Sequence, residues 1–231
     1  MPIDTLKISG QDIVAAQDGK CTSAVELAAF LIIIFAFNIL IVTTLLFWAD
    51  VSISQYHIWI SLVLSLGITR YIACSNRVWL LATAGFAFAI LAGGATLCWF
   101  YDFSGDGQWY HQPGIMGLAQ GWNPFQAPQL EEWDTRFEKD LTNAAVYVQH
   151  YAKGPWIIAA VVYKTTGMLE SAKIFNLLYM VAAYLIAVRY LGSVGLSRVW
   201  SQLLALAAAF NPVSIYQMVS SFVDGQVASL C

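Results

Sequence analysis

The uncharged run Leu27–Trp48, LAAFLIIIFAFNILIVTTLLFW, decides the fold class of this chain. It has 22 residues, and about 20 apolar residues are enough for one helix across a bilayer. The residues before it are too acidic, and the run itself is too long, for a cleaved secretory signal. We therefore interpret it as an uncleaved signal anchor and predict an all-α integral membrane protein.

The composition separates the chain from ordinary soluble proteins. Of its 231 residues, 59% are hydrophobic and 11% are charged, whereas soluble domains have about 45–50% apolar and about 25% charged residues. This excludes a water-soluble enzyme and a disordered chain, and a net charge of −3 excludes a basic nucleic-acid binder. The four cysteines form no CxxC pair, so we predict neither a zinc site nor a disulfide framework.

Further apolar segments predict about six transmembrane helices in total. They follow the first run at residues 51–69, 78–101, 155–169, 174–188 and 199–223. Asn211-Pro212 breaks the last of them, because proline removes a backbone donor and clashes with the preceding turn. Gly85, Ala89 and Gly93 recur at four-residue spacing and predict a helix-packing seam, or reflect only how common Gly and Ala are in such helices.

Basic residues in short connections set the predicted orientation. Arg70 and Arg77 place the second connection inside, which puts the amino terminus inside and the following long loop outside. Arg189 and Arg198 flank a connection that strict alternation would place outside, so either segment 155–169 is re-entrant or the rule is violated there. In a bacterium this topology belongs to the cytoplasmic (inner) membrane.

Three regions follow: a polar cytoplasmic tail (1–23), an amino-terminal membrane-helix hairpin (24–77) and a membrane core (78–231). The core contains a 52-residue outer loop at 102–153, which holds seven of the 14 acids and many aromatic residues. Loops of this size are usually functional or disordered, and the aromatic residues argue against disorder. We therefore predict a structured outer loop that contains short helices.

The stretch Ser104–Pro113, SGDGQWYHQP, is the most specific feature of this loop. Proline is tolerated in the first turn of a helix, so Pro113 predicts a helix that starts near Tyr110. Asp106 then lies just before a helix amino terminus, where the partial positive charge favours its ionised form. Its position between glycines suits a general base, and the alternative is a helix-capping or turn residue.

Four motifs occur in order along residues 78–230. They are Asp106-x-x-x-Tyr-His-x-Pro, Gly-Trp-Asn-Pro-Phe at 121–125, His-Tyr-Ala-Lys-Gly-Pro-Trp at 150–156 with Lys-Thr-Thr-Gly at 164–167, and Asn211-Pro212 followed by Asp224. Together they resemble the polytopic C-type fold glycosyltransferases that use polyprenyl-phosphate sugars, such as protein O-mannosyltransferases and aminoarabinose transferases. Members of that family are usually longer, so we expect this chain to be an amino-terminal part and inactive alone.

The resemblance implies transfer of a sugar from a polyprenyl phosphate to an acceptor hydroxyl on the outer face. Asp106 would be the general base, and the lipid tail would lie in a groove between helices. The leaving phosphate needs positive charge, for which Lys153 is favoured over Arg136 and Lys139, since these two alternate with acids as on a solvated helix face. Many relatives carry a second acid, here Asp102, and a divalent metal is left open.

The candidate substrate-binding residues are Asp102, Tyr110, His111, His150, Lys153 and Asp224. Several of them have a structural alternative. Tyr110 is otherwise an interface aromatic, His111 a structural hydrogen-bonding group, Lys153 an interfacial lysine and Asp224 a helix-end acid.

Two other functions remain open at this stage. A transporter or flippase-like bundle also contains broken helices, although the uncharged spans offer no obvious ion pathway. A non-catalytic membrane scaffold would bind a partner through the aromatic residues of 122–137. Loss of function on Asp106→Asn favours the enzyme, because a scaffold would be indifferent to that carboxylate.

Overall fold

The structure is a computed structural model that describes residues 22–126, 147–148 and 150–221. These residues form helices, turns and loops and contain no β-strand, which confirms the all-helical class for this part of the chain. The elements are α1 (Ala24–Trp48), α2 (Tyr56–Ile72), α3 (Asn76–Leu97), a π-helical turn (Gly107–His111), α4 (Gln112–Ala119), α5 (Gly154–Thr166), a 3-10 helix (Leu169–Lys173), α6 (Ile174–Ser193), α7 (Arg198–Ala209) and α8 (Pro212–Met218).

In the described part of the chain, fewer helices than the predicted six are long and apolar enough to cross a membrane. Among the described residues, α1, α3 and the continuous helix Leu169–Ser193 are long and apolar enough, and α7 with α8 adds a fourth if this pair, bent by 58°, is one span. α2 has 17 residues and α5 has 13, which at 1.5 Å per residue gives about 26 and about 20 Å. Residues 51–55 precede α2 in the connection from α1, and Gly167 ends α5 in a left-handed conformation (φ 72°).

The predicted break at Asn211-Pro212 is confirmed. α7 ends at Ala209, and Asn211 caps α8 by accepting hydrogen bonds from the backbone N–H groups of Val213 and Ser214 at 3.1 and 3.0 Å. The proline then occupies the first turn of α8, where its missing N–H costs nothing.

α1 is the central helix and packs against α2, α3, α5 and α6. On one side Asn38 donates a hydrogen bond to the hydroxyl of Ser65 in α2 at 2.8 Å. On the other side the ring of Phe35 contacts Phe86 of α3 and Phe175 of α6, with centroids 5.5 and 5.8 Å apart. The short α1–α2 and α2–α3 connections make α2 antiparallel and α3 parallel to α1. The pair between Arg189 near the end of α6 and Glu26 at the start of α1 makes α6 antiparallel to α1.

Small residues permit close helix packing, but mainly at positions other than those predicted. Ser61, Ser65 and Thr69 are fully buried on α2, and each hydroxyl donates to the carbonyl four residues earlier. On α3, a Cβ added to Gly93 would lie 2.8 Å from the Leu177 side chain of α6, whereas nothing lies within 4 Å of one added to Gly85. The predicted seam on α3 is therefore tight at Gly93 and open at Gly85.

The four described arginines lie at one end of the bundle, which we call the arginine end. They flank the α2–α3 and α6–α7 connections: Arg70, Arg77, Arg189 and Arg198. Arg189 also pairs with Glu26 in the first turn of α1 at 2.8 Å. Cys74, in the α2–α3 connection, is disulfide-bonded, so the prediction that the cysteines form no disulfide is wrong for this residue.

The opposite end carries Asp50, Asp102 and Asp106, and we call it the aspartate end. The chain leaves α3 at this end and returns to it before α6, because the Lys173 side chain donates a hydrogen bond to the carbonyl of Phe100. α5 is therefore not a crossing of the bundle. Of the two alternatives left open for segment 155–169, the structure has the one in which this segment returns to the end from which it came.

The close approach of α4 and α5 gives a prediction on stability. A Cβ added to Gly114 would lie 2.8 Å from the Trp156 ring, and overpacking of this kind costs about 1–3 kcal/mol. We expect Gly114→Ala to lower the unfolding temperature in detergent, and Gly85→Ala, the matched control with open space around it, to leave it unchanged or raise it slightly. Equal unfolding temperatures for the two variants would contradict the packing of α4 on α5.

Candidate functional site

Asp106 is exposed at the aspartate end, directly before the π-helical turn. Its backbone is already helical (φ −65°, ψ −37°), and its side chain makes no capping hydrogen bond. The helix predicted near Tyr110 thus begins earlier, and α4 follows with Pro113 in its first turn. The capping alternative for Asp106 is not supported, and its carboxylate remains accessible from solvent.

Asp102 has the opposite environment and is only 3% exposed. Oδ1 accepts hydrogen bonds from the backbone N–H and the hydroxyl of Ser104 at 2.9 and 2.6 Å, and Oδ2 accepts one from the N–H of Ser221 at 2.6 Å. Burial alone would raise the pKa of Asp102, but these hydrogen bonds together outweigh burial and hold the pKa below its ordinary value. Asp102 therefore stays ionised and joins the start of the loop to the end of α8.

This buried carboxylate also explains a glycine of the motif. A Cβ added to Gly107 would lie 2.1 Å from Oδ2 of Asp102, so a larger residue would displace the carboxylate. Gln108 completes the link by donating from Nε2 to the carbonyl of Asp102 at 2.8 Å. The two residues that follow Asp106 thus pack against Asp102 or hydrogen-bond to it. Asp106 is the accessible acid of the pair.

An aromatic cluster underlies the π-helical turn. Tyr110 is 7% exposed and stacks on Tyr147 at 5.3 Å, while Tyr151 stacks on Trp156 at 5.5 Å. His111 is fully buried, and its Nδ1 accepts a hydrogen bond from the indole N–H of Trp156 at 2.9 Å. The predicted structural hydrogen bond of His111 is therefore present, and a neutral ring carries its proton on Nε2. Sugar binding by Tyr110 and His111 stays a prediction.

The two basic candidates before α5 differ in position. The ammonium of Lys153 lies 5.7 Å from the ring centroids of both Trp122 and Trp156 and donates to the carbonyl of Tyr151 at 2.7 Å. Burial lowers the pKa of Lys153. His150 is exposed. Lys153 is therefore positioned by the aromatic residues around it.

The Gly-Trp-Asn-Pro-Phe turn has a structural role at the aspartate end. The side-chain amide of Asn123 donates to the carbonyl of Phe47 in the last turn of α1 at 2.9 Å, and this carbonyl also accepts from the backbone N–H of Asp50 at 3.1 Å. Gly121 has a φ of 111°, a conformation that favours glycine. Lys164 likewise donates to the carbonyl of Ala119 at the end of α4 at 2.9 Å.

A second polar cluster, which was not predicted from the sequence, lies beside Asp102. Lys173 is buried, pairs with Glu170 and donates to the carbonyl of Phe100. Asn176 donates to the carbonyls of Gln217 and Ser220, both at 2.9 Å, and so holds the end of α8 next to Asp102. The opposite charges of Glu170 and Lys173 at i,i+3 spacing were the available indication of a paired lysine.

A divalent metal finds no support in the described residues. They contain no group of three His, Cys, Asp or Glu side chains that could hold a metal ion. Both oxygens of Asp102 accept hydrogen bonds from N–H or O–H groups of the protein. Asp224, Arg136 and Lys139 lie outside the described residues, as does most of 127–149 in the predicted loop.

An apolar groove of about 450 Å³ runs between α1, α3 and α6. Gly85, Ala89 and Ala92 line its α3 side, and Leu177 and Val181 line its α6 side. The small residues of α3 hold this groove open, since nothing fills the space beside Gly85. Its surface fits a hydrocarbon chain.

The buried Asp102 predicts an acid-sensitive contribution to stability. Because its pKa is lowered on folding, it stabilises the fold above its unfolded pKa of about 4, and this stabilisation is lost as the pH falls through the folded pKa. Asp102→Asn should lower stability near neutral pH by about 1.5–3 kcal/mol and make thermal unfolding less dependent on pH below about 4. Asp106→Asn, the matched control, should unfold like the wild type, and identical behaviour of both variants would contradict the role of Asp102.

Comparison with known proteins assigns the chain to no family. No protein-family model matches it, and no curated protein or solved structure matches it at a significant level. Function is therefore inferred from the geometry of the site and from the motifs themselves.

Proposed function

We propose that this chain belongs to a membrane glycosyltransferase that moves a sugar from a polyprenyl phosphate to an acceptor hydroxyl. The observation that carries the proposal is the difference between two acids four residues apart. Asp102 is buried and its oxygens are occupied, whereas Asp106 is exposed and caps nothing. A general base must be ionised and within reach of a substrate proton, and exposure of the Asp106 carboxylate supports this role.

The proposed reaction assigns one step to each group. Asp106 takes the proton of the acceptor hydroxyl as its oxygen attacks the anomeric carbon from the face opposite the phosphate. The bond from the anomeric carbon to the phosphate oxygen breaks, the configuration inverts, and the phosphate leaves on its lipid. Lys153, a cation positioned by Trp122 and Trp156, is proposed to stabilise the departing charge.

The apolar groove supports a lipid-linked donor. Its lining is almost entirely hydrocarbon, and it lies between α1, α3 and α6, three of the segments that are able to cross a membrane. A polyprenyl chain in this groove would approach the site from within the bilayer, and the acceptor would approach from the water. The reacting atoms would then meet at the aspartate end.

The distribution of arginines supports the orientation proposed with this function. All four described arginines are at the arginine end, where α1 begins. Basic residues in short connections favour the cytoplasmic side. We therefore propose that the arginine end is inside and that the aspartate end, with Asp106, is on the outer face of a multi-pass protein. The disulfide of Cys74 at the arginine end points the other way, because disulfides are rare on the cytoplasmic side.

Removal of the proposed base gives the direct test. Asp106→Asn keeps the shape of the side chain but cannot accept the proton, so we expect transfer to fall by about 10²–10⁴-fold with the unfolding temperature unchanged. Asp50→Asn, which removes another exposed carboxylate at the aspartate end, should leave the rate unchanged. Normal transfer by Asp106→Asn in the full-length gene product would refute the catalytic role.

Lipid mass spectrometry identifies the donor for that assay. A retained polyprenyl phosphate, or its sugar conjugate, should co-purify with both the wild type and Asp106→Asn, because the variant loses proton transfer and keeps the groove. Bulk phospholipid alone, from a folded full-length product, would favour the transporter or scaffold.

Filling the groove should weaken donor binding without touching the base. Gly85→Leu places a side chain in the open space of the groove. Displacing two methylene groups of the lipid costs about 1.6 kcal/mol, so we expect the KM for the donor to rise about tenfold with kcat unchanged. Gly192→Leu, on α6 outside the groove and also without a clash, is the control, and equal effects of both variants would argue against the groove.

A further inference from the structure

The segment between α3 and the π-helical turn has an unusual distribution of side chains. Trp99, Tyr101 and Phe103 are 81%, 67% and 85% exposed, whereas the acid among them, Asp102, is 3% exposed. A loop in water would show the reverse, with its carboxylate outward and its rings covered. This distribution is typical of a segment at the boundary between lipid and water.

Two contacts on the inner side fix this arrangement. Lys173 donates to the carbonyl of Phe100, and the side chain of Asp102 accepts from Ser104 and Ser221. With the backbone held at both positions, the neighbouring aromatic rings have to project away from the bundle. The outward rings are thus a consequence of the fold.

We propose that residues 99–103 form an anchor that lies in the headgroup boundary of the outer leaflet. The anchor continues the exposed apolar surface of α3, on which Phe88 and Leu91 are each 73% exposed, without an intervening charge from 78 to 101. Trp and Tyr favour this boundary because their rings are apolar and their N–H and O–H groups remain hydrated. The occupant of this surface is therefore lipid.

The anchor determines how far the candidate site lies from the bilayer. Asp106 follows Phe103 by three residues, so its carboxylate lies just above the headgroups, where a lipid-linked phosphate would also be. The inference rests on the membrane placement proposed above and does not require the transfer reaction. It gives the aromatic segment a role that is separate from the chemistry of Asp106.

Site-specific fluorescence quenching in phospholipid nanodiscs tests the anchor on the full chain. The environment-sensitive amino acid dansylalanine is incorporated as Phe103→dansylalanine and Tyr101→dansylalanine, and as Gly105→dansylalanine, an exposed control with open space around it. We expect loss of fluorescence with brominated lipids at 103 and 101 and with aqueous iodide at 105. Leu91→dansylalanine, on the exposed side of α3, reports separately on membrane placement.

Each outcome has one meaning. Quenching by iodide at 103 and 101, with brominated-lipid quenching at 91, would overturn the anchor and keep the membrane placement. Protection from both quenchers at 103 and 101 would also overturn it, because the segment would then be covered by protein. Absence of brominated-lipid quenching at 91 as well would overturn the membrane placement together with the anchor.

Discussion

The packing of α1 against four other helices is the constraint on which the rest of the structure depends. Lipid is as apolar as leucine, so helices in such surroundings associate through close packing and interhelical hydrogen bonds. α1 has both kinds of contact: Asn38 bonds to Ser65, and Phe35 fits between Phe86 and Phe175. Because α2, α3 and α6 all pack against α1, the position of α1 determines where both ends of the bundle lie.

The candidate site lies in the loops at the aspartate end of that bundle, where polar groups hold the loops in place. Asn123 fastens one loop to the end of α1, and Lys164 closes the end of α4. Asp102 joins the segment after α3 to Ser221 beyond α8, a contact between residues 119 positions apart. Each bond pairs polar groups at this end of the bundle, and unpaired polar groups are costly in an apolar setting.

The two acids of the motif show how burial separates functions in a short sequence. Asp102 has a structural role. Its hydrogen bonds lower its pKa, so the carboxylate stays charged. Asp106 is neither buried nor a helix cap, so it is the acid of the pair that is accessible from solvent. The lysines divide similarly, because Lys164 and Lys173 cap carbonyls while Lys153 lies against two indole rings at the surface of the cluster.

The helical class, the long first helix, the break at Asn211-Pro212 and the accessible position of Asp106 could be predicted from the sequence, because apolar runs, prolines and glycines act locally on the backbone. The burial of Asp102 could not be predicted in this way, since its partner Ser221 is distant in the chain. Tertiary packing also determines which of the described helices are long enough to cross a membrane, and it returns α5 to the aspartate end. An apolar run shows how hydrophobic a segment is. The direction of that segment and the helices beside it depend on which distant residues pack against it.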